Sequence, residues 1–348
     1  MSLLTDRHVR ALSSYDATKA LSDREAEALT DALTSARAGV EAPLIEALGQ
    51  EYQRQATEVE ANLDDVLASA EAEGWSPQWL WILLGAAAFE TFVDTTARAL
   101  LVTIAEEGLS AGGIVMGAGV PEAFAISPGA LATLDESIAL IKNTDAETRR
   151  VLGKIMREGT AQSASRRDIS RVIRAQFNDW SSWRAATVAQ TASTPVYAHT
   201  LTDAYASYGA TGKGWLSVLD SATRESHVEA NGQEVGINES FTVGGVSMRF
   251  PGDPRAPARE TVGCRCSIFP VVPPPVYREK TADEQAAWLK MKPHERGRID
   301  MAVRDLSVRT CYPPLRDAMG QLGAIAYLAT EFSMSESNVK NVVIKPKQ

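Results

Sequence analysis

Cysteine is scarce: three residues in 348, Cys264, Cys266 and Cys311, are too few and too unevenly placed for a secreted disulfide framework. A reducing cytoplasm is therefore the expected compartment during synthesis. No long apolar run is present either. The most apolar stretch, Trp79 to Phe89, is soon followed by Glu90, Asp94 and Arg98. It is too short to span a bilayer and reads as a buried helix, so no stable membrane span is expected. The first residues, MSLLTDRHVRALSS, lack the basic head and apolar run of a signal peptide. P-loop, dinucleotide-type glycine loop and His-Glu-x-x-His patterns are all missing, which removes the commonest nucleotide and metalloprotease readings. Neither an internal repeat nor a low-complexity tract occurs.

What remains is an ordinary globular composition, 45% hydrophobic and 23% charged, with room for two domains. The formal net charge of −9 is unevenly spread. Residues 1–75 hold 6 Lys/Arg against 15 Asp/Glu, so the rest of the chain sums to zero. Residues 148–184 reverse the sign, with nine basic and three acidic side chains. Arg149, Arg150, Lys154, Arg157, Arg166, Arg167, Arg171 and Arg174 make this a candidate basic surface. Such a surface would attract a phosphate backbone or dock on an acidic protein face; both charge blocks also read simply as solvated helix faces.

Residues 1–110 have the helical spacing of apolar residues, with Ser76-Pro77 opening a second, more buried helix. Residues 111–144 are expected to form a glycine-rich hinge and the start of the next helix; six glycines and two prolines fall within 107–130. Ser165 with Asp168 has capping-box spacing and starts a further helix, and another runs from Trp183 to Gly209. From Gly214 short strands and turns take over, with Asn231-Gly232 and Gly244-Gly245 as hairpin signals. Phe241–Val243 and Val246–Phe250 are the expected paired strands, and Cys264–Val272 a further β run. Pro273, Pro274 and Pro275 form the clearest linker, and with the helical extension that follows from 276 they make up residues 273–348. The expected fold is α+β: a mainly helical N-terminal region, a central mixed domain with short antiparallel hairpins over 145–272, and a small helical C-terminal extension.

Two residues apart on a strand share a face, so Cys264 and Cys266 would present both thiols together. A disulfide between them would close a strained ring, leaving a metal site or plain burial. His227 is the natural third ligand and Asp220 a candidate fourth, a donor set that suits zinc. The alternative for the same segment is a structural polar cluster of Arg184, Thr191, Asp220, Arg224 and His227, with Asp220 and Arg224 paired along a helical turn. A cysteine nucleophile with His227 as base lacks an orienting Asn or Asp in any recognisable motif. Residues 324–342 have the outline of a helix-turn-helix, for which a packing hairpin is the commoner explanation.

The order of these pieces resembles the phage Mu F-like head morphogenesis family of minor capsid proteins. The pieces are the SRRDISRVIRAQF helix, Arg184-Ala185 with Ala189 and Thr191, Trp215, and Asp220 with Arg224 and His227. They continue with Asn231-Gly232, Phe250-Pro251-Gly252-Asp253-Pro254 and Cys264-Arg265-Cys266. Ala192 stands where the family commonly has Glu, and Gly263 where an Asn often precedes the cysteine pair. The resemblance implies a structural role in the virion: a minor head protein acting in procapsid assembly or genome delivery at the portal vertex. Its implied partners are the portal protein, scaffold or major capsid protein. The family's domain is also found joined to toxin domains, so a metal-dependent hydrolase, nuclease or delivered effector is the alternative. The last seventy-odd residues here carry no catalytic motif.

Overall fold

A computed structural model describes residues 23–73, 86–118 and 125–272, with a few isolated positions between 325 and 343. The Trp79–Phe89 helix start, the triple proline and the helix-turn-helix outline therefore lie largely or wholly outside the described residues. The chain separates into two compact units, and the first, built from residues 1–15 and 22–270, holds nearly all the described residues.

Helix α1 runs unbroken from Asp23 to Glu73, through Pro43. Helix α2 (Ala86–Phe92) continues through one π-helical turn (Val93–Ala97) into α3 (Arg98–Val115). Helix α4 spans Pro128–Ala161, capped by Ser127, whose hydroxyl accepts from the Ala130 N–H. Helix α5 (Arg166–Asp179) passes through a second π turn (Trp180–Arg184) into α6 (Ala185–Ser207). The Ser165–Asp168 capping pair forms as expected: the Asp168 N–H donates to the Ser165 hydroxyl, which donates to the Asp168 carboxylate.

Helix α6 is the centre of the helical layer and packs on α1, α3 and α4. Its Val196, Tyr197, Leu201 and Tyr205 are buried with Leu33, Leu44, Leu48 and Tyr52 of α1 and Leu101 and Ile104 of α3. Within the expected glycine hinge the part up to Val115 is helical, because α3 runs on through Gly108, Gly112 and Gly113; residues 119–124 lie outside the described residues. These glycines serve a close crossing. A Cβ on Gly108 would stand 2.1 Å from Oγ1 of Thr200, and one on Gly112 would stand 2.4 Å from Cβ of Ala204. Among the described residues no helix is long and apolar enough to cross a membrane.

The β-rich lobe follows α6. Strand β1 (Gly212–Leu216) lies between β2 (Glu234–Gly236) and β5 (Ser267–Val271), with β2 antiparallel to β1 and Lys213 opposite Val235. Strands β3 (Phe241–Val243) and β4 (Val246–Met248) form a separate antiparallel hairpin. Its turn is Gly244-Gly245, both at positive φ, as a two-residue hairpin of this twist requires. Asn231-Gly232, by contrast, closes no hairpin. It leads out of helix α7 (Glu225–Ala230) into β2, and the Asn231 side chain accepts from the Ser217 N–H. A last single turn, α8 (Ala258–Thr261), precedes the cysteines. The fold is α+β with helices dominant, as expected.

Candidate metal centre

Both cysteines sit just before β5, in a segment tied down from several sides. Gly263, at φ +64, turns the chain and donates its N–H to Oγ1 of Thr191 at 3.0 Å. Thr194 donates to the Cys264 carbonyl at 2.8 Å. From α1, the buried Arg37 guanidinium donates to the carbonyls of Cys266 at 3.3 Å and Arg265 at 3.2 Å. The thiols are thus presented by a backbone held by both α6 and α1.

His227 comes from α7, with its ring edge-on to Trp215, centroids 5.5 Å apart. Nδ1 lies 3.3 Å from Sγ of Cys266 and 3.8 Å from Sγ of Cys264. All three residues are buried, and their ligand atoms lie within 4.8 Å of one another. Zinc bonds of about 2.3 Å to sulfur and 2.0 Å to nitrogen, at tetrahedral angles, separate N from S by roughly 3.5 Å. The two observed N–S distances bracket that value. Two thiols and an imidazole are also the soft donor set that zinc favours. The trio could therefore hold a metal ion. The thiols are poised unequally: a hydrogen bond from Cys266 and the nearby His227 pull Cys264 well below the usual thiol range. The same hydrogen bond, together with burial, pushes Cys266 well above it. Ser217 closes the back of the site, accepting from Trp215 Nε1 at 3.1 Å and donating to the His227 carbonyl. On the open side a cavity of about 10 Å³, lined among others by Thr223, Arg224 and Arg265, has room for about one water.

Asp220 stays outside this trio. Its carboxylate accepts from Arg265 at 2.6 Å and from Thr223 and the Ala222 N–H at 3.0 Å, and Arg265 holds its pKa down at about 2. The expected Asp220–Arg224 pair is replaced: Arg224 donates to the Val262 carbonyl instead. These two arginines tie the 220–224 segment to the segment that carries the cysteines. Thr191, Arg224 and His227 do gather around Gly263 and Cys264. Arg184 does not, because it precedes α6 and points into the helical layer. There it donates to Thr148 and the Thr144 carbonyl at 3.0 and 2.9 Å and stacks on Trp180. Sequence reasoning missed Arg37, Thr194, Ser217 and Glu260. Glu260, four residues before Cys264, was the one with a local signal.

The basic stretch is largely answered from within the chain. Arg166 pairs with Asp64 and Arg174 with Glu60 across to α1, while Arg149, Arg150, Lys154 and Arg171 pair with Asp145, Glu147, Glu158 and Asp168 on their own helices. Part of the acidic N-terminal block thus faces part of the basic block. Arg157 and Arg167 are exposed.

A small α+β lobe with a buried His-Cys-Cys centre, clamped to a helical layer, is the class of domain these features define. The family model described as "Phage Mu protein F like protein" matches residues 150–269, so that segment is similar to this family. Two curated proteins share shorter stretches. One is the "NAD(+)--arginine ADP-ribosyltransferase EFV" of Enterococcus faecalis (strain ATCC 700802 / V583), 42% identical over 60 residues, which is 17% of this chain and 12% of that protein. The other is the "Uncharacterized protein YqbB" of Bacillus subtilis (strain 168), 41% identical over 51 residues, 14% of this chain and 17% of that protein. The chain thus spans less than a fifth of either relative's length. No solved structure matches.

Proposed function

We propose that this chain is a phage minor head protein, a low-copy structural component that enters the procapsid and acts at the portal vertex in assembly or genome delivery. Its partners are the portal protein, scaffold or major capsid protein, and its place is the virion. The family match over residues 150–269 carries the reading. The site supports it: a trio enclosed by Trp215, Ser217 and two arginines, beside a cavity the size of one water, suits a brace better than a substrate pocket. In this reading zinc, held by His227, Cys264 and Cys266, joins α7 to the start of β5. Asp220 takes part through Arg265, not as a ligand. The exposed arginines of the basic stretch, Arg157 and Arg167, are the residues offered to phage DNA.

Proteomics of purified virions and procapsids tests the assignment. Low-stoichiometry recovery with portal rings is expected, and absence from both particles overturns it. The likeness to part of an ADP-ribosyltransferase favours a second reading, an effector delivered with the genome. Transfer of ADP-ribose from NAD to arginine by the purified chain would establish that one.

A further inference from the structure

His227 is met at both ring nitrogens. Nδ1 faces the two sulfurs. Nε2, on the other side of the ring, is buried, has no hydrogen-bond partner among the described residues, and lies 3.4 Å from Oε2 of Glu260. Glu260 is itself only 5% exposed. It is carried by α8, the single turn that leads into the cysteine segment. Its Oε2 also accepts from the hydroxyl of Ser226, the residue before His227, at 2.8 Å, and Arg259 Nε lies 3.3 Å from Oε1.

A buried carboxylate is costly unless its oxygens receive hydrogen bonds. A neutral imidazole has one N–H and one lone pair, so whichever nitrogen faces an acceptor-only group must carry the proton. Glu260 is acceptor-only when ionised, which puts the proton on Nε2 and the lone pair on Nδ1, where the sulfurs converge. The opposite tautomer would set a lone pair against a buried carboxylate oxygen.

We propose that Glu260 is the positioning residue of this centre: its carboxylate accepts the Nε2–H of His227, fixing the ring's orientation and tautomer so that Nδ1 is the atom offered to a metal between Cys264 and Cys266. The contribution to metal binding rests on the zinc reading above, whereas the tautomer claim stands without it. Metal-bound histidines held in this way by a carboxylate typically lose 10–100-fold in metal affinity when it is removed.

The test uses the full chain, ¹⁵N-labelled at histidine, with thiols reduced. Long-range proton–nitrogen spectra, in which the His227 signals are identified by their loss in His227→Gln, report the tautomer with and without zinc. A protonated Nε2 and unprotonated Nδ1 are expected in both samples; an Nδ1–H tautomer, a doubly protonated ring or metal on Nε2 overturns the proposal. Competition with a chromophoric zinc chelator then compares the wild type with Glu260→Ala, Glu260→Gln and Ser226→Ala. Glu260→Ala should weaken zinc binding 10–100-fold. Glu260→Gln, whose amide oxygen still accepts from Nε2–H, should recover most of that loss, and Ser226→Ala, which removes one hydrogen bond that holds the carboxylate, should weaken binding less than Glu260→Ala does. Equal affinity in wild type and Glu260→Ala overturns the role of Glu260 and leaves the zinc reading intact. A wild type that takes up no zinc overturns the zinc reading, and the tautomer in the same spectra still decides for or against Glu260. Should Glu260→Ala fail to fold, Glu260→Gln and the tautomer carry the decision.

Discussion

Arg37 on α1 donates to the carbonyl oxygen of Cys266, 229 positions later in the sequence, at 3.3 Å. The same guanidinium holds the Arg265 carbonyl. The helical layer therefore grips the backbone of the cysteine segment directly, and the placement of the thiols depends on the first helix.

That grip can be measured. Arg37→Met removes two donors from buried carbonyls, and each buried polar group left unpaired costs about 1–3 kcal/mol. With two carbonyls affected, urea melting should show a loss of about 2–6 kcal/mol. Arg37→Lys should recover only part of it, because an ammonium cannot reproduce the planar fork that reaches both oxygens. A variant as stable as the wild type would mean that the two carbonyls find other partners.

The crossing of α3 and α6 predicts that Gly108→Ala is destabilising, against the helix-propensity expectation. Replacing a helical glycine by alanine normally gains about 1 kcal/mol. Here the added methyl meets Thr200 Oγ1 at 2.1 Å and the Tyr197 carbonyl at 3.0 Å. Overpacking of this kind costs about 1–3 kcal/mol, so the net effect should be a lowered thermal midpoint. Gly117→Ala gives a contrast. There a Cβ would meet nothing within 4 Å, so its cost comes from the backbone at φ +73 and not from packing.

These positions mark the limit of what the sequence conveys. Ser165 and Asp168 announce their cap, Gly244-Gly245 its turn, and Cys264 and Cys266 their partnership with His227, because each signal is short-range or chemically unusual. Gly108 and Gly112 look like hinge residues, since the same absence of a side chain permits both a bend and a close crossing. Only the partner helix decides between them. Asn231-Gly232 misleads for a related reason: its left-handed glycine ends a helix as readily as it turns a hairpin. Arg37 gives no signal, because its partners are backbone carbonyls in a distant segment. Spacing to His227 makes Asp220 a candidate ligand, but Arg265, the intervening residue of the cysteine pair, claims it instead.

Lys213 makes a pH prediction. Its ammonium donates to the Arg249 carbonyl at 2.7 Å and stands over the Phe241 ring, and burial, with Arg249 nearby, lowers its pKa from 10.5 to about 8. Below pH 8 the folded and unfolded chains both hold the proton, so its contribution is constant and unfavourable. Between pH 8 and 10.5 the folded chain releases the proton while the unfolded chain keeps it, and stability rises with pH. At about 1.4 kcal/mol per pKa unit the gain is at most about 3 kcal/mol. Lys213→Met should be more stable than the wild type at pH 7, with the difference shrinking toward pH 10. A difference independent of pH would place the proton elsewhere.

Metal removal should act locally. If zinc joins α7 to the start of β5, its binding energy belongs to the folding of the β-rich lobe. A chelator, or Cys264→Ser, should then lower the thermal midpoint and speed amide exchange in α7, α8 and β5. The α3–α6 crossing is held by apolar packing of Leu101, Ile104, Val196 and Leu201, and it should keep its protection. The wild type should become more stable with added zinc in proportion to the logarithm of its free concentration, and Cys264→Ser should not respond. Uniform loss of protection across both layers would instead make the cysteine segment part of a single cooperative unit. Arg37, Thr191 and Thr194 already reach from the helices to that segment, so the boundary between fast and slow exchange should fall at these three side chains.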